Sequence, residues 1–554
     1  MRKSLLVAPL ACLFVELVLA PPAVFNIKDY GAVGDGKAID SPAINRAIEA
    51  AAASGGGTVV LPAGQYLCYS IHLKSNLTLQ LEPGATIVAA EPSTGDSRYD
   101  LPEPNEWDMY QDFGHSHWQN SLIWGIGLEN VSIVGPGRIF GKGLTRRGPG
   151  PRRPAQSGDT PTTLLDKQGR SVDTITPPAL GPTQSGAGRT PDALAAMEGL
   201  GNKAISLKLC RNVLLRDFTI EQGGHFALLA TGVDNLTIDN LRVDTNRDGF
   251  DIDCCVNVHI SNCSVNSPND DAIVLKSSYA LGRARATEDV TITNCHVSGF
   301  DPGTLLDATY GRTQEEAPDH DGVTGRIKFG TESNGGFKNI AISNCVFDRC
   351  RGLALETVDG GLLEDVTVDN VTMRDITTSP IFLRLGARMR GPEGTPVGRL
   401  RRVSISNVSV YNAKPDFASI ISGLPGHPIE DVRLSHIRIF YRGGGSAEQA
   451  ALEPPEKENN YPEPSMFGET PAYGFFIRHA ERVSLDDVEV SFLQEDMRPA
   501  FVLKDVKGAE FRHVKGQRAG ATPTVVLKDV RDFSSHASLP IPDTSLASAP
   551  ANQF

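Results

Sequence analysis

One short pattern (apolar, X, Ile or Leu, X, Asn or Asp, X, X, Val) recurs along this chain and leaves few folds open to it. It reads VLLRDFTI to Ile220, LTIDNLRV to Val243, VHISNCSV to Val265, VTITNCHV to Val297 and IAISNCVF to Phe347. It continues as VTVDNVTM to Met373, VSISNVSV to Val410, VRLSHIRI to Ile439 and VSLDDVEV to Val490. The Asp/Asn positions Asp217, Asn240 and Asn262 lie 23 and 22 residues apart, and later intervals lengthen where loops enter. A period this short has no room for a helix between strands. Alternation at period two gives each segment one buried face, and close recurrence lets each rung bury that face against its neighbours. The expected fold is all-β, a parallel β-helix (solenoid). A propeller would need about twice the period and several strands per repeat. Asn at one fixed place in successive rungs fits a side-chain ladder at a tight bend.

The two ends read differently. Asp40-Ser41-Pro42 before AINRAIEAAAASGGG is an N-cap with Pro in the first turn, an Ala-rich apolar face and a glycine stop. The short helix it predicts would cover an open solenoid edge, which otherwise invites pairing with other chains. The first twenty residues, with a basic start and an apolar run ending in Ala, read as a secretory signal assigned to 1–23. Residues 24–533 read as one solenoid domain carrying a polar Pro/Gly/Thr/Arg-rich insertion at 146–190, and the Ser/Ala/Pro-rich 534–554 as a disordered tail.

A formal charge of −13 argues against a nucleic-acid partner, and no later stretch reaches the roughly 20 apolar residues needed to cross a bilayer. The expectation is a secreted or periplasmic monomer with no membrane partner. Eight cysteines remain beyond the signal. Cys263, Cys295 and Cys345 share one frame position, so they are expected to stack as small buried groups rather than pair. With no C-X-X-C pair, no metal role is expected for them.

The chemistry concentrates in Asn246-Arg247-Asp248-Gly249-Phe250-Asp251-Ile252 and Asn269-Asp270-Asp271-Ala272-Ile273-Val274-Leu275. Asp248 and Asp271 are 23 positions apart and followed by like patterns, so they fall on neighbouring rungs with Asp270 beside both. Clustered acids repel one another, which raises the proton affinity of at least one. One protonated carboxyl and one carboxylate are what glycoside hydrolysis requires. Turn-forming acids or calcium ligands are the plainer reading of the same residues.

These acidic segments, the rungs, and the N-terminal FNIKDYGAVGDG and GGGTVVLPAGQY together resemble the pectin-degrading polygalacturonases of glycoside hydrolase family 28, over about Phe25 to Val490. The resemblance implies a right-handed parallel β-helix, an anionic pectic polysaccharide or oligosaccharide as partner, and no cofactor. It implies Asp270 as general acid, with Asp248 and Asp271 holding the attacking water, and inversion with acid and base roughly 6.5–9.5 Å apart. Exo-polygalacturonase-like action is the leading expectation and rhamnogalacturonan hydrolysis the alternative. A pectate lyase and a non-catalytic carbohydrate-binding solenoid are further alternatives. Elimination is disfavoured because Arg247 is expected to alternate away from Asp248.

The family carries Asn-Thr-Asp, Asp-Asp, Gly-His-Gly and Arg-Ile-Lys on successive rungs. Here the first is Asn246-Arg247-Asp248, altered in the middle, and the second is intact. By register Gly325 takes the histidine's place, Ala354 the arginine's and Glu356 the lysine's, so Arg326-Ile327-Lys328 is not the family motif despite its letters. If Ile327 and Phe329 point inward, Arg326 and Lys328 point to the cleft side with Ala354 and Glu356, and Phe382 and Arg384 follow on the next rung. The substrate-binding candidates are Asn246, Lys328, Arg326, Arg384, Glu356 and His225. An ion pair of Lys328 with Glu356 is the competing expectation. The Trp107–Tyr110 and His115–Trp118 stretches read as loop packing on the flank or as a sugar platform.

Overall fold

The computed structural model describes residues 23–92, 98–145, 197–245 and 247–554. The signal assignment (but for residue 23), the 146–190 insertion and Asn246 therefore lie outside the described residues.

Rungs stack in parallel, and each turn of the chain contributes to three faces. One face, called the site sheet below, runs through Ile123–Ile126, Lys203–Lys208, Phe226–Thr231, Asp248–Asp253, Ile273–Ser277, Ile327–Ser333, Leu353–Thr357, Ile381–Leu385 and Ser419–Ser422, and continues through the starts of the long strands Phe475–Gln494, Phe501–Arg512 and Val525–His536. Inward residues of all three faces meet in one continuous core, from Ile27 through Phe250, Ile327 and Phe533. The two-residue side-chain alternation read from the sequence thus becomes an inside and an outside.

The recurrent Asn/Asp sits where the chain bends. Asp217, Asn240, Asn262 and Asn294 have φ of 71°, 54°, 58° and 55°, a left-handed conformation that Asn and Asp tolerate best among residues with a Cβ. Their side chains connect rungs: Asn240 Nδ2 donates to Asp217 Oδ1 at 2.8 Å, and Asn294 Nδ2 to Asn262 Oδ1 at 3.3 Å. A parallel ladder runs Asn257→Asn235→Asn212→Asn130 at 2.8–2.9 Å. The eight described cysteines are all buried and unpaired, with Cys263, Cys295 and Cys345 stacked as the frame position implied.

Helix Ser41–Ala53 covers one end through Ile44, Ala47, Ile48 and Ala51. Asp40 holds the N-cap position, but its carboxylate accepts from the Val33 and Gly34 amides instead, at 2.6 and 3.0 Å. The tail differs from expectation. Residues Thr544–Gln553 form a strand antiparallel to Val525–His536, with Ile541 and Ala549 in the core. Small Ser and Ala side chains suit a strand lying against a finished rung, so a composition that suggested disorder instead pairs the last edge.

Candidate active site

Asp248 opens the strand Asp248–Asp253, and Gly249 N donates to Asp271 O at 2.9 Å, which fixes the two acids side by side on adjacent rungs. One oxygen from each of Asp248, Asp270 and Asp271 lies within 4.8 Å of the others. That is tighter than the roughly 6.5–9.5 Å typical of two-acid inverting sites. The reason is local: two of the acids belong to hydrogen-bonded neighbouring rungs and the third adjoins one of them. The three oxygens could also surround a cation, as could Asp112, His115 and Glu332 nearby.

The three acids live in different surroundings. Asp271 accepts from Arg326 Nε at 2.8 Å and lies 3.7 Å from Lys328 Nζ. Asp270, the most open of the three, is 3.3 Å from Arg247 Nε. Asp248 is 3 % exposed and has no ion pair within 4.0 Å among the described residues. Burial, then the charge of Asp270, push its carboxyl well above the usual range, with Lys276 opposing. The surroundings of Asp248 thus favour its protonated form.

Arg247, expected to alternate away from Asp248, lies against Asp270, 3.3 Å from Nε. Burial opposes its charge, and Asp270 and Asp248 outweigh burial, so its pKa is raised and it remains a cation. The bend before Asp248 frees its side chain from strict alternation.

Ile327 and Phe329 enter the core, and Arg326 and Lys328 face outward, as parity requires. Both cations, however, are 1 % exposed. A loop between Ile429–Gly443 and Phe475–Gln494 brings Glu463 onto them: Arg326 holds it with two nitrogens, Arg351 Nη1 approaches at 3.2 Å and Lys328 Nζ at 3.5 Å. These cations hold the Glu463 carboxyl far below its usual range against the effect of burial. Tyr461 of the same loop lies over Lys328, 4.9 Å from nitrogen to ring centre. Lys328 and Arg326 are thus a paired layer behind the cleft rather than its open surface.

Lys328 also lies 3.6 Å from Glu356, the ion pair considered as the competing reading. Glu356 is fully buried, neither of its oxygens has a hydrogen-bond partner, and burial raises its pKa to about 8 despite Lys328 and Arg326. Arg384 is drawn to the loop instead of the trio. It donates to Ser422 Oγ at 2.8 Å, Gly423 O at 3.1 Å and Glu456 O at 3.0 Å, and stacks over Phe467. Ala354, Phe382, Met466 and Phe467 form a second, outer apolar cluster there. Buried Glu356 and loop-bound Arg384 correct the expectation that they line the cleft.

Gly325 explains why no histidine occupies its position. Its φ is +63°, and an added Cβ would stand 2.0 Å from Ser298 O. His225, one rung before Asp248, is 3 % exposed with both ring nitrogens unpartnered. Burial and then Arg247 keep it neutral, far below its usual pKa.

A second network borders the trio. His115 Nε2 meets Asp251 Oδ2 at 2.9 Å, Lys276 Nζ meets Glu332 Oε2 at 3.1 Å, and Arg390 binds Glu332 and reaches Asp112 Oδ1 at 3.4 Å. Arg390 thereby ties the loop after Ile381–Leu385 to the loop before Ile123–Ile126 across the outer face. Trp118 is buried against the flank, while half-buried Trp107 and Tyr110 pack on Tyr279, each 5.4 Å between ring centres. Sequence reasoning missed Glu463, Tyr461, Asp112 and Arg390, whose contacts Tyr461–Lys328, Glu463–Arg326 and Arg390–Asp112 span 133, 137 and 278 residues. Lys276 was open to the same parity argument that found Lys328.

With this geometry in place, comparison is informative. The family model "Rhamnogalacturonase A/epimerase, pectate lyase-like" matches residues 24–107, and "Right handed beta helix region" matches 196–313. The exo-poly-α-D-galacturonosidase of Dickeya chrysanthemi is 26% identical over 264 residues, 46% of this chain and 42% of that protein. Over part of its length the chain is similar to this galacturonosidase and, at 26% identity over 234 residues, to the polygalacturonase of Cochliobolus carbonum. Yersinia enterocolitica family 28 exopolygalacturonase shares the polygalacturonase-like fold at TM-score 0.60 and 19% identity, covering 89% of this chain and 79% of that one. A shorter match, 65% identity over 49 residues, links 9% of the chain to 4% of the mannuronan C5-epimerase AlgE1 of Azotobacter vinelandii. The chain thus spans less than half the length of the Dickeya and Azotobacter relatives. Among the described residues, no helix is long and apolar enough to cross a membrane.

Proposed function

We propose that this protein is a glycoside hydrolase that removes sugars from the end of a pectic chain. The observation that carries the reading is the Asp248–Asp270–Asp271 trio, three acids with one oxygen each within 4.8 Å, on a polygalacturonase-like β-helix. Asp248 passes its proton to Asp270, the open member, which delivers it to the glycosidic oxygen, and Asp271 accepts the proton of the attacking water. The bond from C1 to the leaving oxygen breaks, a bond from C1 to water forms, and the trio ends with the single proton it began with. Both Asp271 oxygens face Arg326 and Lys328, which favours its service as base over direct attack on C1 and keeps inversion as the expected outcome.

The Arg390 tie between distant loops supports cutting from an end, since it narrows the outer face beside the trio. Hydrolysis is favoured over elimination because Arg247, held as a cation, is no base. Export, on the N-terminal segment, goes with a polymer substrate, and the chain is expected to act as a monomer.

Product analysis on polygalacturonate and rhamnogalacturonan oligosaccharides tests the reading. Saturated sugars released from one end are expected, with Asp270→Asn lowering kcat about 10²- to 10⁴-fold at nearly constant KM. Unsaturated products, or loss of turnover on chelation, would transfer the trio to metal-assisted elimination.

A further inference from the structure

Among the described residues, three cations lie within 4.0 Å of a trio carboxylate: Arg326 and Lys328 on Asp271, and Arg247 on Asp270. They differ in access. The Arg326 and Lys328 side chains are 1% exposed, sealed by Glu463 and Tyr461, whereas the Arg247 side chain is 25% exposed, like its partner Asp270 at 29%. The three positions where the family carries cations or an imidazole hold Gly325, Ala354 and Glu356. None of these supplies positive charge, Gly325 has no space for a side chain, and Ala354 and Glu356 are fully buried. A uronate placed over Asp270 would therefore meet its positive charge from the opposite side, at the first acidic segment.

We propose that Arg247 binds the carboxylate of the uronate at the cleavage point, exchanging its contact with Asp270 for the substrate. This rests on the glycoside hydrolase reading above and adds what selects the substrate. A guanidinium fork matches a planar carboxylate in a way that a hydroxyl cannot. Asp270 and Arg247 face each other at 3.3 Å. An arriving uronate takes Arg247 and leaves the Asp270 oxygen facing the glycosidic oxygen. A neutral sugar has nothing to draw the guanidinium away, so the same residue that welcomes a uronate holds Asp270 back from a neutral chain.

The test compares Arg247→Gln and Arg247→Lys with wild type on an oligogalacturonate and on its carboxyl-reduced, neutral counterpart. The Gln variant is expected to lose about 10- to 100-fold in kcat/KM on the charged substrate and to gain on the neutral one, where Arg247 no longer holds Asp270. The Lys variant keeps the charge without the fork and should lose several-fold on the charged substrate alone, which also decides the matter if the Gln variant fails to fold. Equal losses on both substrates, or no loss on the charged one, would overturn the assignment. If wild type releases no product from any pectic oligosaccharide, the hydrolase reading has failed by itself. Calorimetric binding then decides Arg247: tighter binding of the charged than the neutral oligosaccharide, abolished by Arg247→Gln, supports it. Binding without that difference, or no binding by wild type, rejects it.

Discussion

Replacing Glu356 with Gln should alter how stability depends on pH more than stability at any one pH. Glu356 is fully buried, lacks hydrogen-bond partners for both oxygens, and has its pKa raised from 4.5 to about 8 by burial. Below pH 4.5 the folded and unfolded chains both carry its proton, and the group is neutral to the balance. Between pH 4.5 and about 8 the unfolded chain ionises while the folded one does not. The native state then binds more protons, so stability falls as pH rises. At about 1.4 kcal/mol per pH step, the interval costs the wild type about 5 kcal/mol by pH 8. The Gln variant escapes this fall, at the expense of a constant offset of about 1–3 kcal/mol for an amide without partners. Urea titrations of both proteins at steps from pH 4.5 to 8 isolate the effect, because other titrating groups largely cancel in the difference. That difference should climb steadily in favour of the variant. A flat difference would mean that Lys328, 3.6 Å away, holds Glu356 ionised, and the reasoning from burial would be wrong.

Glu463→Gln should lower stability by about 3–5 kcal/mol, read as a drop in urea midpoint, because Arg326 and Arg351 lose the carboxylate they share; an unchanged midpoint would show that their other partners suffice, Asp271 for Arg326 and Asp319, 2.6 Å from Arg351 Nη2, for Arg351. The raised pKa of Asp248 places the loss of the trio's proton on the alkaline side of the activity profile. Asp248→Asn should therefore lower kcat and move the alkaline limb to lower pH, and a limb that stays in place would assign it to another group.

What the sequence made legible was whatever repeats. Strand parity placed Ile327 and Phe329 inside and Arg326 and Lys328 outside, the Asn frame marked the left-handed bends, and two acidic segments one rung apart produced the trio. Parity also put Ala354 on the same side as Lys328, with which it pairs on the neighbouring rung. What stayed hidden lies in the loops, which have no period. Glu463 meets Arg326 across 137 residues and Arg390 meets Asp112 across 278; nothing in either local sequence names its partner. That is why Lys328 and Arg384 looked like open cations and proved to be covered. The contact of Arg247 with Asp270 was hidden for a different reason, since alternation governs strands and Arg247 stands in a bend.

Acids carried on a stack of strands cannot be spaced at will. Neighbouring rungs are separated by the interstrand distance of about 4.7–4.9 Å, so carboxylates on adjacent rungs start from one such step, and the next choice is two. A catalytic pair on this scaffold is set as on a ruler with coarse marks, and finer adjustment falls to rotamers and to the choice of position within a rung. A third acid beside the second, as Asp270 stands beside Asp271, is one way to obtain an intermediate spacing. Evolving new chemistry on such a frame would proceed by moving a carboxylate a whole rung, or by rebuilding the loops above it, rather than by gradual drift of the acids apart.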